Sequence, residues 1–329
     1  MGSKDEKSIV ITTLVPTYNQ EAFIGDCVQS IVRQQLKPGW HHHIVVGNDG
    51  STDGTKQILE SIASTNPHVS ITLLNRAPSS RKGRHRWNGR INGRENMRDL
   101  MTYKGDFMAF CEGDDLWLED DKLLQQVSFL QNHPSYNICW SQARLIDEEA
   151  ATLGQTEIPE ELSFEDLRYA FPVGHSSCST VWRAAGFDWG IYEQTASQGT
   201  TNDTMWLNLL LSGKGKVLDS VLVARRIQSE GQWSGENYVL RQAGILTLFN
   251  SHGNIFGEDL MPSASLRAAL LSQCAHIERL VIDQMSAEEL LEECYKKYVL
   301  LEGANRRKFW FTRVKNQLRK IVKLTQIET

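Results

Sequence analysis

The sequence predicts an α/β protein: a mostly parallel sheet covered by helices on both faces, with a helical C-terminal extension. Two observations point to this. Short β-branched apolar runs alternate with helical periodicity through the first half of the chain, which is the pattern of a parallel sheet with crossover helices. Beyond Gly235 the text is mostly helical up to the end. The expected division is therefore a sheet domain over 1–235 and a helical region over 236–329. A chain of 329 residues buries enough surface to fold without a disulfide or zinc staple.

The elements follow in order. "SIVITTLVPTYN" is a β-rich run expected to stop at Pro16. From Glu21 a helical period places Phe23, Cys27 and Ile31, and Ile24 and Val28, on one face. "HHHIVVGNDG" is a second strand ending in a turn, and Asp53 in "STDGT" is placed to cap the helix that carries Ile58, Leu59, Ile62 and Ala63. His41, His42 and His43 occupy a loop-to-strand junction and point to alternating faces, which does not suit a metal. "VSITLLN" is a third strand. Residues 76–95, rich in Arg, Gly and Ser, form an expected exposed loop. A short helix around 94–103 leads to the strand "DFMAFC", and "DKLLQQVSFLQNHP" is a periodic helix closed by Pro134. Further on, "FPVGHSSCSTVWR" reads as a strand returning to the sheet and "TNDTMWLNLLLSGK" as a capped helix.

Composition narrows the class. The six cysteines are scattered without a CxxC pair, several within apolar patterns, which fits a reducing cytoplasm. The polar start "MGSKDEKS" lacks a signal-peptide core, and no apolar run approaches a membrane span. A soluble, cytoplasmic protein is expected. The net charge of −5 is uneven: residues 304–329 hold eight Lys or Arg against one Glu, so that tail carries +7 and the remainder −12. An acidic body argues against nucleic acid as a partner. Within 304–325, Trp310, Val314, Leu318 and Ile321 share one helical stripe among basic residues. Such a helix suits an anionic membrane surface, making the protein peripheral on the inner face. It suits equally well packing on its own domain or on a second subunit in a homo-oligomer.

"CEGDDLW" sets Glu112, Asp114 and Asp115 directly after an apolar strand. Two readings stand on local pattern. The acids cap the following helix and favour its dipole, or they meet a hard dication, Mn²⁺ or Mg²⁺, which takes oxygen ligands from one or two carboxylates and a phosphate. Asp120 and Asp121 are available for capping, which favours the cation. Asp49 and the acidic cluster each lie just past a strand's carboxyl end, where ligands of such sheets bind.

The stretches "VPTYNQEAFIGDCVQSIVRQQ", "GNDGSTDGT", "CEGDDLWLEDDKLLQQVSFLQNHP" and "TNDTMWLNLLLSGKGKV" resemble, in order and spacing, the motifs of family-2 inverting glycosyltransferases, over roughly residues 8–235. The resemblance implies a GT-A-like nucleotide-sugar-binding domain and a metal-dependent hexosyltransferase. Its donor would be a nucleotide-diphosphate sugar, UDP-linked, and its acceptor a saccharide or glycolipid of surface polysaccharide or glycolipid synthesis. Residue by residue, it places Pro16, Tyr18 and Glu21 around base and ribose, and Asp49 on a base N–H. Asp114 would contact ribose or metal, Asp115 would be the main metal ligand, and Glu112 would reach sugar or metal-bound water. Arg226 and Trp233 would lie at the diphosphate, and Arg94 is the candidate of the basic loop. The resemblance makes Asp203 the catalytic base, although spacing alone favours a helix cap there. Where relatives carry a His after Arg226, this chain has Gln228. Two other functions are compatible with the layout: a membrane-docked scaffold of the same fold without activity, and a nucleotidyltransferase. Against the latter, the first strand is followed by "PTYNQE" and not by a glycine-rich basic loop.

Overall fold

The computed structural model describes residues 8–81, 86–87, 90–91, 93–164, 176–196 and 202–228. The chain divides after Gly235 into two units, and every described residue belongs to the first. The expected helical extension, its basic tail and Trp233 lie outside the described residues, as do most side chains of the Arg-rich loop.

The chain opens with β1 (Ile9–Thr17), α1 (Ile24–Val32), β2 (Trp40–Asn48), α2 (Thr55–Thr65) and β3 (Ser70–Asn75). A two-strand ribbon, β4 (Arg86–Trp87) with β5 (Arg90–Ile91), interrupts the expected loop before α3 (Arg94–Leu100) and β6 (Phe107–Phe110). Then follow β7 (Leu116–Trp117), α4 (Lys122–Asn132), β8 (Tyr136–Ile146), β9 (Thr152–Gln155) and β10 (Glu161–Leu162). β11 (Val181–Arg183), α5 (Trp189–Ala196), α6 (Asn202–Leu210) and β12 (Lys214–Arg226) complete the described elements.

The main sheet runs β10-β12-β8-β11-β6-β1-β2-β3, with β7 on β12 and β9 on β8. Its parallel character holds through β3, β2, β1 and β6, and again between β8 and β12. β11 enters antiparallel to both β6 and β8, so the two parallel blocks point the same way. The carboxyl ends of β1, β2, β6, β8 and β12 therefore share one rim. β1 runs one residue past Pro16, which pairs in register with Gly47. Proline has no N–H to give, but its carbonyl accepts the Gly113 N–H at 3.1 Å and so reaches toward the acidic stretch. The three histidines belong to β2 itself. His42 meets Thr13 and His43 meets Thr72, each at 2.8 Å, so flanking hydroxyls satisfy the rings.

The core forms where the periodicity placed it. Ile24, Cys27, Val28 and Ile31 of α1 and Leu123, Val127 and Leu130 of α4 are buried against Ile11, Val15, Ile44 and Val46 of the sheet. Cys27, Cys111, Cys139 and Cys178 are buried free thiols, as their apolar settings suggested. Gln34 ties the end of α1 to the start of α4, donating to the Glu119 carbonyl at 2.8 Å and accepting from the Leu123 N–H at 3.0 Å. Ser30 accepts the Trp117 N–H at 3.1 Å. These bonds fix both ends of the segment that follows the acids.

One core residue has no counterpart in the sequence reading. Lys122, the first residue of α4, is 0% exposed, and its Nζ lies 4.1 Å from the Trp117 ring centroid. Among the described residues that nitrogen has no hydrogen-bond partner. Burial pulls its pKa down to about 8, only partly countered by the neighbouring thiols. The unfolded chain holds this proton more tightly, so stability rises with pH between about 8 and the ordinary lysine value, and the full burial cost applies below 8. After allowing for the lost cation–π contact, Lys122→Met should stabilise the fold by about 2 kcal/mol at pH 7. The gain should fade near pH 9.5. Urea unfolding at the two pH values checks this, and a destabilised Met variant at pH 7 would contradict it.

Candidate active site

The turns after β1 and β2 are bound to each other. Asn19 adopts φ 50, a left-handed conformation that asparagine tolerates. Its N–H donates to the Ser51 hydroxyl, and its Oδ1 accepts the Thr52 N–H, both at 2.9 Å. Tyr18, next to it, is 40% exposed at the rim. Glu21 accepts the Gly54 N–H, and Asp53 accepts from Glu21 and Thr55 at 3.1 Å each. Gly54, not the expected Asp53, takes the N-cap position of α2; the Asp53 and Glu21 carboxylates accept N–H groups at the helix start, which orients the Glu21 carboxylate.

Asp49 sits immediately beyond β2, 2% exposed, with its N–H on the Thr17 carbonyl at 2.9 Å. The Asx-type turn here is made by Asn48, whose Oδ1 accepts the Ser51 N–H at 3.0 Å and whose amide donates to Asn75 at 3.0 Å. That gives a physical reason for a neutral residue at 48. Gly50 has φ +79, and a Cβ there would lie 3.0 Å from the Ala77 carbonyl, so glycine is required.

The acidic stretch occupies the rim at the end of β6. Glu112 is half-buried and accepts a hydrogen bond from the Ser177 hydroxyl. Asp114 is half-buried and accepts from the Gln228 amide at 2.5 Å. Asp115 is turned inward, 4% exposed, with Oδ1 on the Arg226 N–H at 2.8 Å. Burial raises the pKa of all three. For Asp115, pushed furthest, the charges of Asp114 and Glu112 add to burial, while the Arg226 N–H and the Arg225 charge only partly offset them. A cluster of oxygen donors that resist ionisation, first because they are buried and then because they repel one another, is stabilised by a cation among them. This donor set fits a hard dication. Among the described residues, no three or more His, Cys, Asp or Glu side chains converge into a ready-made cage. One or two carboxylates completed by a substrate's phosphates is the arrangement such residues allow. Asp121 takes the N-cap position of α4, but its carboxylate accepts from Gln125 at 2.8 Å rather than from the backbone.

Arg226, expected at the diphosphate, makes a set of contacts within the chain. It is 7% exposed; Nε donates to the Asp114 carbonyl at 3.0 Å, and Nη1 to the carbonyls of Asp147 at 2.7 Å and Glu148 at 3.0 Å. The guanidinium also lies 4.4 Å from the Phe23 ring centroid. It joins the ends of β6, β8 and β12 and the entry to α1. Sequence reading placed Arg226 at the site but could not tell a ligand from a brace.

Pro16, Tyr18, Glu21, Asp49, Glu112, Asp114, Asp115 and Arg226 all lie at or just beyond the carboxyl ends of β1, β2, β6 and β12. Asp203 falls in the first turn of α6 and Arg94 opens α3, but the side chains of both lie outside the described residues, as does Trp233 entirely. Gln20 and Ser177 are the contributors missed from sequence. Both are common polar residues in turns, and only the fold brings them to the acids. Among the described residues no helix is long and apolar enough to cross a membrane.

Comparison with known proteins adds the remaining findings. The profile of the family described as "Glycosyl transferase family 2" matches residues 12–185, more than half of the chain. An uncharacterized protein of Mycobacterium tuberculosis is 28% identical over 136 residues, 41% of this chain and 35% of its own length. A Bacillus subtilis (strain 168) glycosyltransferase, TuaG, whose name assigns it provisionally to teichuronic acid biosynthesis, is 25% identical over 173 residues, 52% of this chain and 61% of its own. The match thus spans about a third of the length of the mycobacterial relative. Among solved structures, S. aureus TarS 1–349 superposes with a TM-score of 0.52 at 16% identity, covering 79% of this chain and 69% of that one. The same protein with UDP-GlcNAc gives 0.53 at 16%, covering 95% and 81%. Likeness at such identity speaks for the fold, which is the GT-A-like mixed α/β architecture expected from the motifs.

Proposed function

This chain belongs to glycosyl transferase family 2, and we propose that it transfers a sugar, with inversion, from a UDP-linked donor to a hydroxyl of a saccharide or glycolipid acceptor. The observation that carries the reading is the shared rim. A buried carboxylate at the end of β2, an exposed tyrosine after β1 and three mutually repelling acids after β6 lie beyond parallel strand ends in one sheet. Asp49 accepts an N–H of the base, which suits an imide edge such as uracil's. Tyr18 and Pro16 flank base and ribose, with Glu21 holding the two turns in place.

A bound dication, Mn²⁺ or Mg²⁺, neutralises charge developing on the departing diphosphate. The chain's contribution is to hold it. Because Asp115 points inward onto β12, the direct ligand role expected of it falls to Asp114, with Asp115 bracing the loop from behind and Glu112 facing the sugar. Asp203, at the start of α6, takes the proton from the acceptor hydroxyl. That oxygen forms the new bond to the anomeric carbon as the bond to the diphosphate oxygen breaks, and the electron pair leaves with the nucleotide. Attack opposite to the leaving group inverts the centre. An acceptor in surface polysaccharide synthesis is supported by the relation to TuaG. The basic tail within 236–329 is proposed to meet an anionic membrane face or a second copy.

The test is UDP release from a panel of UDP-sugars with Mn²⁺ and a saccharide acceptor. Asp203→Asn should lower acceptor-dependent turnover by about 10³-fold while leaving UDP binding within twofold. Wild-type turnover in that variant would remove Asp203 as the base. Absence of turnover with every UDP-sugar, alongside turnover with another nucleotide-sugar, would overturn the donor.

A further inference from the structure

Two neutral carboxamides act on the Asp114 carboxylate. Gln228, two residues beyond β12, donates Nε2–H to Asp114 Oδ2 at 2.5 Å. Gln20, in the turn after β1, acts on the same carboxylate through its side-chain amide and lowers its pKa. The Thr17 hydroxyl donates to Gln20 Oε1 at 2.7 Å, which leaves the N–H side of that amide for another acceptor. Gly113 leaves the room this needs. A Cβ at 113 would lie 2.3 Å from Gln20 Oε1 and 2.7 Å from Thr17 Oγ1. Arg226, whose guanidinium lies close by, bonds the Asp114 backbone carbonyl. The carboxylate is thus oriented by donors that bring no full charge to it.

A cation paired directly with Asp114 would compete with any dication for that carboxylate, whereas a carboxamide fixes its direction and leaves its charge in place. We propose that Gln20 and Gln228 are positioning residues that hold Asp114 ready for a dication by neutral hydrogen bonds. The inference rests on the nucleotide-sugar reading of this site and deepens it. Gln228 takes a role that histidine, able to ligate or to carry charge, would fill differently.

The measurement is the factor by which Mn²⁺ tightens UDP binding to the full chain, from calorimetry with the metal and with chelator. Removing a partner that orients a metal ligand typically costs 10- to 100-fold in metal affinity. Gln228→Leu and Gln20→Leu should each reduce the Mn²⁺-dependent tightening about tenfold and leave metal-free UDP affinity within twofold. Gln228→Lys restores a donor but adds charge, and it should lose the tightening at least as strongly. A merely structural bond predicts the opposite, since lysine would re-form it and bind as wild type. Melting temperatures identify any variant that fails to fold, and the remaining substitutions then carry the test. Wild-type tightening in Gln228→Leu, or in Gln228→Lys, would overturn the proposal while leaving the site reading intact. A wild-type protein whose UDP binding ignores Mn²⁺ would overturn both.

Discussion

Asp114→Asn is expected to lower sugar transfer about a thousandfold without loss of folded protein, a magnitude typical of removing a group that stabilises charge in the transition state. The acids after β6 could serve either of two roles. If they served to favour the start of α4, neutralising one would weaken the helix and reduce the melting temperature. The structure gives Asp114 no such contact. Its carboxylate is half-buried beside two others, and burial pushes its pKa up. A carboxyl whose folded pKa lies above its unfolded value takes up protons on folding, so keeping it ionised at neutral pH costs stability. Asn keeps the volume, removes that charge and relieves Glu112 and Asp115. The variant should melt at or above the wild-type temperature while Mn²⁺ ceases to tighten UDP binding. Calorimetric melting and a UDP-release assay read both. A lower melting temperature with near-normal turnover would return the acids to a structural role.

Arg226→Met should have the largest effect on stability. It removes charged donors from three carbonyls, those of Asp114, Asp147 and Glu148, and the ring contact with Phe23. Hydrogen bonds from charged groups contribute about 1.5–3 kcal/mol each, and buried carbonyls left without donors add their own cost. Non-additivity among bonds made by one side chain keeps the total to about 3–4 kcal/mol. In a unit of this size that lowers Tm by roughly 6–16 °C. Lysine lacks the planar fork and should recover only part of the loss. A guanidinium that served the donor diphosphate alone would behave differently: Tm would hold and KM would rise. Urea unfolding next to steady-state kinetics separates the two.

Much of this was legible in the sequence because the relevant signals are local. The apolar stripes of α1 and α4 and the strand-end positions of Asp49 and Glu112–Asp115 need only a few neighbouring residues to be read. What stayed hidden depends on partners distant in the chain. β8 and β12 are the longest of the described strands, Tyr136–Ile146 and Lys214–Arg226, yet their polar residues obscure any alternation. Ser141 and Gln142 of β8 are buried all the same, Gln142 bonding Thr156 at 2.9 Å and the Ile158 backbone at 2.9 and 3.1 Å. Asp115 and Asp114 are adjacent in sequence and alike in chemistry. Their division into an inward brace and a rim-facing acid is set by the register of β12, 111 residues away. Likewise, Lys122 looks like a helix-start residue for solvent until Trp117 and the sheet close over it.

The most direct measurement is the anomalous signal of manganese in a crystal grown with UDP and Mn²⁺. The expected peak lies about 2.0–2.2 Å from a carboxylate oxygen of Asp114 and against the diphosphate, with the uracil edge toward Asp49. A manganese ion bound to the diphosphate but distant from residues 112–115, or a nucleotide seated away from the strand-end rim, would contradict it.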